Sequence, residues 1–143
     1  MIRVVLDANV LVSGLISRKG TPGKILDTWI AGDIRLCVSP AILQELVRVL
    51  KYPRISERLG QDQAALLLNK LETTAELVSG KLELQVLTRD PSDNVYLACA
   101  VESHCDYLVT GNMDHFNEAG EIYKNVKIVS PRTFLDLLSA MNL

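Results

Sequence analysis

The run Ile2-Arg3-Val4-Val5-Leu6-Asp7-Ala8-Asn9-Val10-Leu11 opens the chain with branched apolar residues and breaks off on a carboxylate. Residues 2–6, interrupted only by Arg3, predict a short strand buried on both faces, as at the centre of a parallel sheet. Asp7 then falls at the carboxyl end of that strand, the edge where open α/β sheets bind ligands. Asn9 lies within reach of the same place, and Val10, Leu11 and Leu15 begin a helical repeat behind it. Capping that helix would be role enough for Asp7 taken alone. Further acids at comparable positions argue for more.

With 143 residues the chain is expected to form a single domain, 1–143, able to bury a core without disulfides or metals. Apolar residues make up 48% and charged residues 22%, with no run approaching a membrane span of about 20 residues. No basic segment precedes an apolar signal core, so a cytoplasmic location is expected. Cys37, Cys99 and Cys105 are odd in number and lack paired close spacing, which reads as buried free thiols rather than a zinc site. The net charge of -2 argues only weakly against a polyanionic partner. Setting four of the 17 acids aside in one metal-neutralised site leaves 13 against 15 basic residues, a mildly cationic surface.

Outward from the first strand, residues 10–16 predict a short helix and 18–23 a loop. A second helix is expected over 24–31, stopped by Gly32, and a strand over 34–38. Ser39-Pro40 opens a third helix with serine as cap and proline at the first helical position. Glu45 lies among its apolar residues, with Arg48 at i+3 as a structural partner. Residues 54–59 read as an irregular turn, 61–78 as a long helix on which Leu66 widens the apolar stripe toward a partner surface, and 82–87 as a strand. Asp90, Asp93 and Asn94 precede or open a helix over 95–102 and exceed what a cap requires. Residues 105–110 form another buried strand, followed by Gly111-Asn112-Met113-Asp114-His115-Phe116. A strand over 126–129 and a helix over 132–141, begun by Ser130-Pro131, complete the chain. Strands separated by helices predict a three-layer α/β/α sandwich with a mostly parallel sheet.

Asp7, Asp93 and Asp114 follow strand ends or open helices on one side of such a sheet, and Glu45 comes from the helix after the second strand. Strands of a parallel sheet share one carboxyl edge, so these four residues are expected to line one cleft. Two like charges about 6 Å apart at an effective dielectric near 20 repel by roughly 3 kcal/mol. Either protons or a divalent cation must neutralise the group. Oxygen ligands without His or Cys pairs select Mg2+ or Mn2+ over zinc. Such a site suits in-line displacement at phosphorus.

The segments Leu6-Asp7-Ala8-Asn9-Val10, Ser39-Pro40 with Glu45, Asp90-Pro91-Ser92-Asp93-Asn94 and Val109-Thr110-Gly111-Asn112-Met113-Asp114 resemble the successive motifs of PIN-domain nucleases, and in particular the bacterial PIN proteins of toxin–antitoxin systems. The resemblance covers nearly the whole chain. It implies a Mg2+- or Mn2+-dependent endoribonuclease that leaves a 5′ phosphate, with an antitoxin as partner and a homodimer as the common assembly. It also implies that Asp7, Glu45 and Asp93 are metal ligands, that Asp7 and Asp93 hold the main ion, and that Asn9 supports Asp7. Relatives often read Thr-Gly-Asp with a second acid two residues on. Here Asn112 takes the first place and only Asp114 keeps its charge, which weakens a second-ion site.

RNA would need cations near this cleft. Arg18 and Lys19 follow the first helix, and Arg48, Lys51, Arg54 and Arg58 cluster after Glu45, as candidates for phosphate contacts. His115 adjoins Asp114 within reach of a phosphate, although beside Phe116 it reads as structural; His104 reads as a helix-end residue. Two other readings compete with the nuclease: a weakened RNA- or protein-binding module, motivated by Asn112, and a receiver-like phosphoacceptor domain. The last fares worst, because Ser130-Pro131-Arg132 rather than a lysine follows the final strand.

Overall fold

The computed structural model describes residues 1–84, 91–116 and 122–143. Strand β1 (Ile2–Leu6) sits at the centre of the sheet, and its valines are fully buried because elements cover both faces. It pairs in parallel with β2 (Ile34–Val38), Val4 opposite Leu36, and with β4 (Tyr107–Val109), Leu6 opposite Val109. Beyond β2 lies β3 (Glu76–Leu77), and beyond β4 lie β6 (Val126–Val129) and the antiparallel β5 (Ile122–Tyr123). The order β3-β2-β1-β4-β6-β5 therefore reverses between β1 and β4. Right-handed crossovers that travel in opposite directions from that point cover opposite faces of the sheet. The result is the expected three-layer α/β arrangement, with a crevice at the reversal.

Seven α-helices are described. They are α1 (Ala8–Ile16), α2 (Thr21–Ile30), α3 (Pro40–Leu50), α4 (Pro53–Ser56), α5 (Gln61–Thr74), α6 (Pro91–Glu102) and α7 (Pro131–Ala140). Serine caps open two of them: Ser39 Oγ accepts from the Ile42 N–H at 3.3 Å, and Ser130 Oγ from the Thr133 N–H at 3.1 Å. Ile42, Leu46 and Val49 form the buried stripe of α3, one helical turn apart, which leaves Glu45 at the margin. All three cysteines are buried free thiols. Among the described residues no helix is long and apolar enough to cross a membrane.

Several boundaries differ from the sequence expectation. Helix α2 starts at Thr21, inside the expected loop, because Pro22 is preorganised for a first helical turn. The irregular turn expected over 54–59 begins instead inside a short helix, α4, which takes its residues 54–56. Helix α5 stops at Thr74, and the end of the expected helix becomes β3, held by Cys37 and Val38 of β2 and by an ion pair from Arg3 to Glu76. That pair also explains the lone charge in β1. The guanidinium of Arg3 donates to the Ser103 carbonyl as well, so its charge lies at the sheet margin rather than in the core. Of the strand expected over 82–87, residues 82–84 are not strand and the rest lie outside the described residues.

The loop between α1 and α2 folds back closely on Gly23 of α2, where an added Cβ would stand 2.3 Å from the Arg18 carbonyl oxygen. Backbone cannot yield as a side chain can. Gly23→Ala is expected to destabilise the fold by about 1–3 kcal/mol, read as a lower urea midpoint at unchanged slope.

Candidate active site

At the β1/β4 reversal a cavity of about 190 Å³ is lined by Asp7, Asn9, Glu45, Asp93 and Asn112, together with Arg48, Tyr52, Arg54, Tyr96 and His115. Asp7 forms its floor. Because β1 ends at Leu6, Asp7 is both the strand's last partner, donating its N–H to the Val109 carbonyl, and the cap of α1. Its Oδ1 accepts from the Val10 N–H at 2.8 Å, and its Oδ2 accepts from the Thr110 hydroxyl at 2.6 Å. Thr110 in turn accepts the Asn112 N–H at 3.0 Å, so the loop after β4 is tied to the loop after β1. Burial pushes the Asp7 carboxyl above its usual range, while the bonds from Thr110 and from backbone N–H groups, including Val10, act against the shift.

The other two acids come from elements that cover the sheet. Glu45, half-buried at the margin of the apolar stripe of α3, is held by Arg48, whose Nε donates to Oε2 at 3.1 Å. Arg48 also donates to the Tyr52 hydroxyl and lies over the Tyr52 ring at 5.5 Å. Asp93, buried in the first turn of α6, meets His115 with Nδ1 and Oδ2 2.7 Å apart. His115 belongs to a single 3-10 turn, Met113–Phe116, after β4. The expected repulsion among acids is thus relieved in part locally: Asp7 by hydrogen-bond donors, Glu45 by a guanidinium, Asp93 by an imidazole. Among the described residues, no three His, Cys, Asp or Glu side chains already form a cation cluster.

Asp7, Glu45 and Asp93 consequently share one cavity with Asn9 and Asn112, whereas Asp114 is exposed on the 3-10 turn and does not line it. The turn accounts for this division, since it aims His115 inward and Asp114 outward. Asp90 lies outside the described residues. Of the cations, Arg48 and Arg54 line the cavity, while Lys19, Lys51 and Arg58 are exposed elsewhere. Arg18 is ion-paired with Asp27 and does not line it. Tyr52 and Tyr96 were not singled out by the sequence. Tyr96 sits in an apolar helical stripe, where an aromatic ring reads as core, and only its hydroxyl signals otherwise.

The donor set is composed of carboxylate and amide oxygens, which fits a hard divalent cation better than zinc. A buried carboxylate held by neutral donors at the floor, with two more acids on the walls, gives such an ion a charged seat. Drawing Glu45 toward it would require release from Arg48.

A parallel sheet with an acidic crevice at its topological switch point defines the class as an α/β domain of the ligand-binding, doubly wound kind. A family model for the PIN domain matches residues 3–114, and the chain belongs to that family of nucleases, which generally use divalent metal ions. The uncharacterized protein MJ1680 of Methanocaldococcus jannaschii is 30% identical over 142 residues, covering 94% of this chain and 90% of that protein. The fold is also similar to two solved structures. One is VapBC2 from Rickettsia felis bound to a DNA fragment from its promoter, at TM-score 0.57 and 15% identity, covering 90% of this chain and 98% of that one. The other is FitAB bound to an IR36 DNA fragment, at TM-score 0.51 and 16% identity, covering 90% and 94%.

Proposed function

We propose that this protein is a Mg2+- or Mn2+-dependent endoribonuclease, the toxin of a toxin–antitoxin pair. The observation that carries the reading is the meeting of Asp7, Glu45 and Asp93, from three separate elements, in one cavity at the carboxyl edge. Asp7, Glu45 and Asp93 would hold the cation, which when bound supplies Lewis-acid polarisation of a phosphodiester and acidification of water. The chain's own residues do the rest. Thr110 and the α1 backbone keep the Asp7 carboxylate aimed into the cavity. His115 fixes the orientation of Asp93. Arg54 on the rim, and Arg48 once released from Glu45, give the RNA backbone positive partners.

The antitoxin is suggested by fold-level likeness to the VapBC2 and FitAB assemblies together with the resemblance of the motifs. Leu66 of α5 is 68% exposed and borders an apolar groove with Trp29 and Ile30 of α2. Protein contact, including a homodimer, is expected on such a surface.

The ribonuclease reading is tested by incubating purified protein with labelled single-stranded RNA in Mn2+, Mg2+ or EDTA. Cleavage in the metals and none in EDTA is expected; equal cleavage in EDTA would contradict it. A second reading, a weakened RNA- or protein-binding module, is favoured by Asn112 on the cavity wall, since an amide contributes less field than a carboxylate. Asn112→Asp is accordingly expected to raise the cleavage rate several-fold, and an unchanged rate would make position 112 a spectator.

A further inference from the structure

One polar atom of the cavity has no task in the chemistry above. Tyr96 is 4% exposed, and its hydroxyl oxygen accepts the Ala8 N–H at 3.1 Å. A phenol has a proton to donate as well as lone pairs to accept with. Among the described residues nothing accepts that proton, although the side chain lines the cavity between Asp7, Glu45 and Asp93. Packing does not account for the oxygen, because a phenylalanine ring would fill the same apolar space. Holding the Ala8 N–H accounts for a lone pair, and it also fixes the oxygen so that the proton swings only about one axis.

Burial raises the phenol above its ordinary range, so it is a neutral donor. With a divalent cation offsetting the three acids, a buried donor left over in their cavity would suit a guest that brings its own anionic oxygens. We infer that Tyr96 is a substrate-contacting residue whose hydroxyl hydrogen-bonds a non-bridging oxygen of the phosphodiester lying over Asp7, Glu45 and Asp93. This assignment rests on the ribonuclease reading. The proton stays on the phenol throughout, and the bond strengthens as negative charge gathers on that oxygen in the transition state.

Two replacements at this position separate donation from acceptance. Tyr96→Phe keeps the ring and removes both functions. Incorporation of p-aminophenylalanine at position 96 restores an N–H donor but only a poor acceptor for the Ala8 N–H. Tyr96→Phe is expected to lower kcat on a single-stranded RNA by about 10- to 100-fold, the scale of one hydrogen bond to a charged group. Its Mn2+ affinity, read by titration calorimetry without RNA, should be unchanged, and p-aminophenylalanine should recover most of the rate. An unaltered kcat in Tyr96→Phe would overturn the assignment. So would a joint loss of rate and Mn2+ affinity that p-aminophenylalanine does not rescue, which would reduce Tyr96 to a prop for Ala8. If the wild-type protein bound but did not cleave RNA, the ribonuclease reading would fail separately; RNA affinity would then be compared, with weaker binding by Tyr96→Phe supporting the donor and equal binding overturning it.

Discussion

Asp7→Asn is expected to reduce RNA cleavage by at least about 10²- to 10³-fold, the scale on which removal of one preorganised electrostatic group acts. The fold should survive, because asparagine caps a helix as well as aspartate and keeps an acceptor for the Val10 N–H. Stability should in fact rise. Burial lifts the folded-state pKa of Asp7 above its unfolded value, so between the two the native state holds the proton more firmly, and stability falls as pH rises through that window. The charged carboxylate is therefore a burden above the folded pKa and none below the unfolded one. In EDTA, thermal melts should place Asp7→Asn above wild type at neutral pH, with the gap closing as pH falls below the ordinary carboxylate range. A variant that melts lower at neutral pH would mean that Asp7 is there to hold the fold.

Removal of divalent metal is expected to have an effect of similar size. Without a cation, a phosphodiester approaching Asp7, Glu45 and Asp93 meets three acids, and among the described residues Arg48 and Arg54 are the basic side chains that line the cavity against them. Arg48 is already engaged with Glu45. Dialysis against EDTA should abolish cleavage, and Mn2+ or Mg2+ should restore it, while RNA binding itself should weaken rather than strengthen in EDTA. Tighter binding without metal would mean that the basic residues alone define the ligand site. It would favour the binding-module reading.

Much of this arrangement was legible because the residues concerned obey local rules. Branched residues up to Leu6 and a carboxylate directly after them mark a central strand and its functional edge. Ser39-Pro40 and Ser130-Pro131 mark helix starts that the structure reproduces with capping bonds. Glu45 within a turn of Arg48 predicted their pairing. What escaped the sequence is settled by distant neighbours. Strand β3 has two residues and exists through its pairing with β2 and the Arg3–Glu76 contact, 73 positions away along the chain. The choice between Asn112 and Asp114 depends on a 3-10 turn that no periodicity announces. His115 reaches Asp93 across 22 positions, and the Tyr96 hydroxyl meets Ala8 across 88.

Calorimetric titration of Mn2+ into wild type, Asp7→Asn, Glu45→Gln and Asp93→Asn, without RNA, tests most directly whether these three side chains serve a common ion. Saturable binding by wild type and a marked loss of affinity in each of the three variants is the predicted result. Wild-type affinity retained in all three, or lost in only one of them, would contradict it.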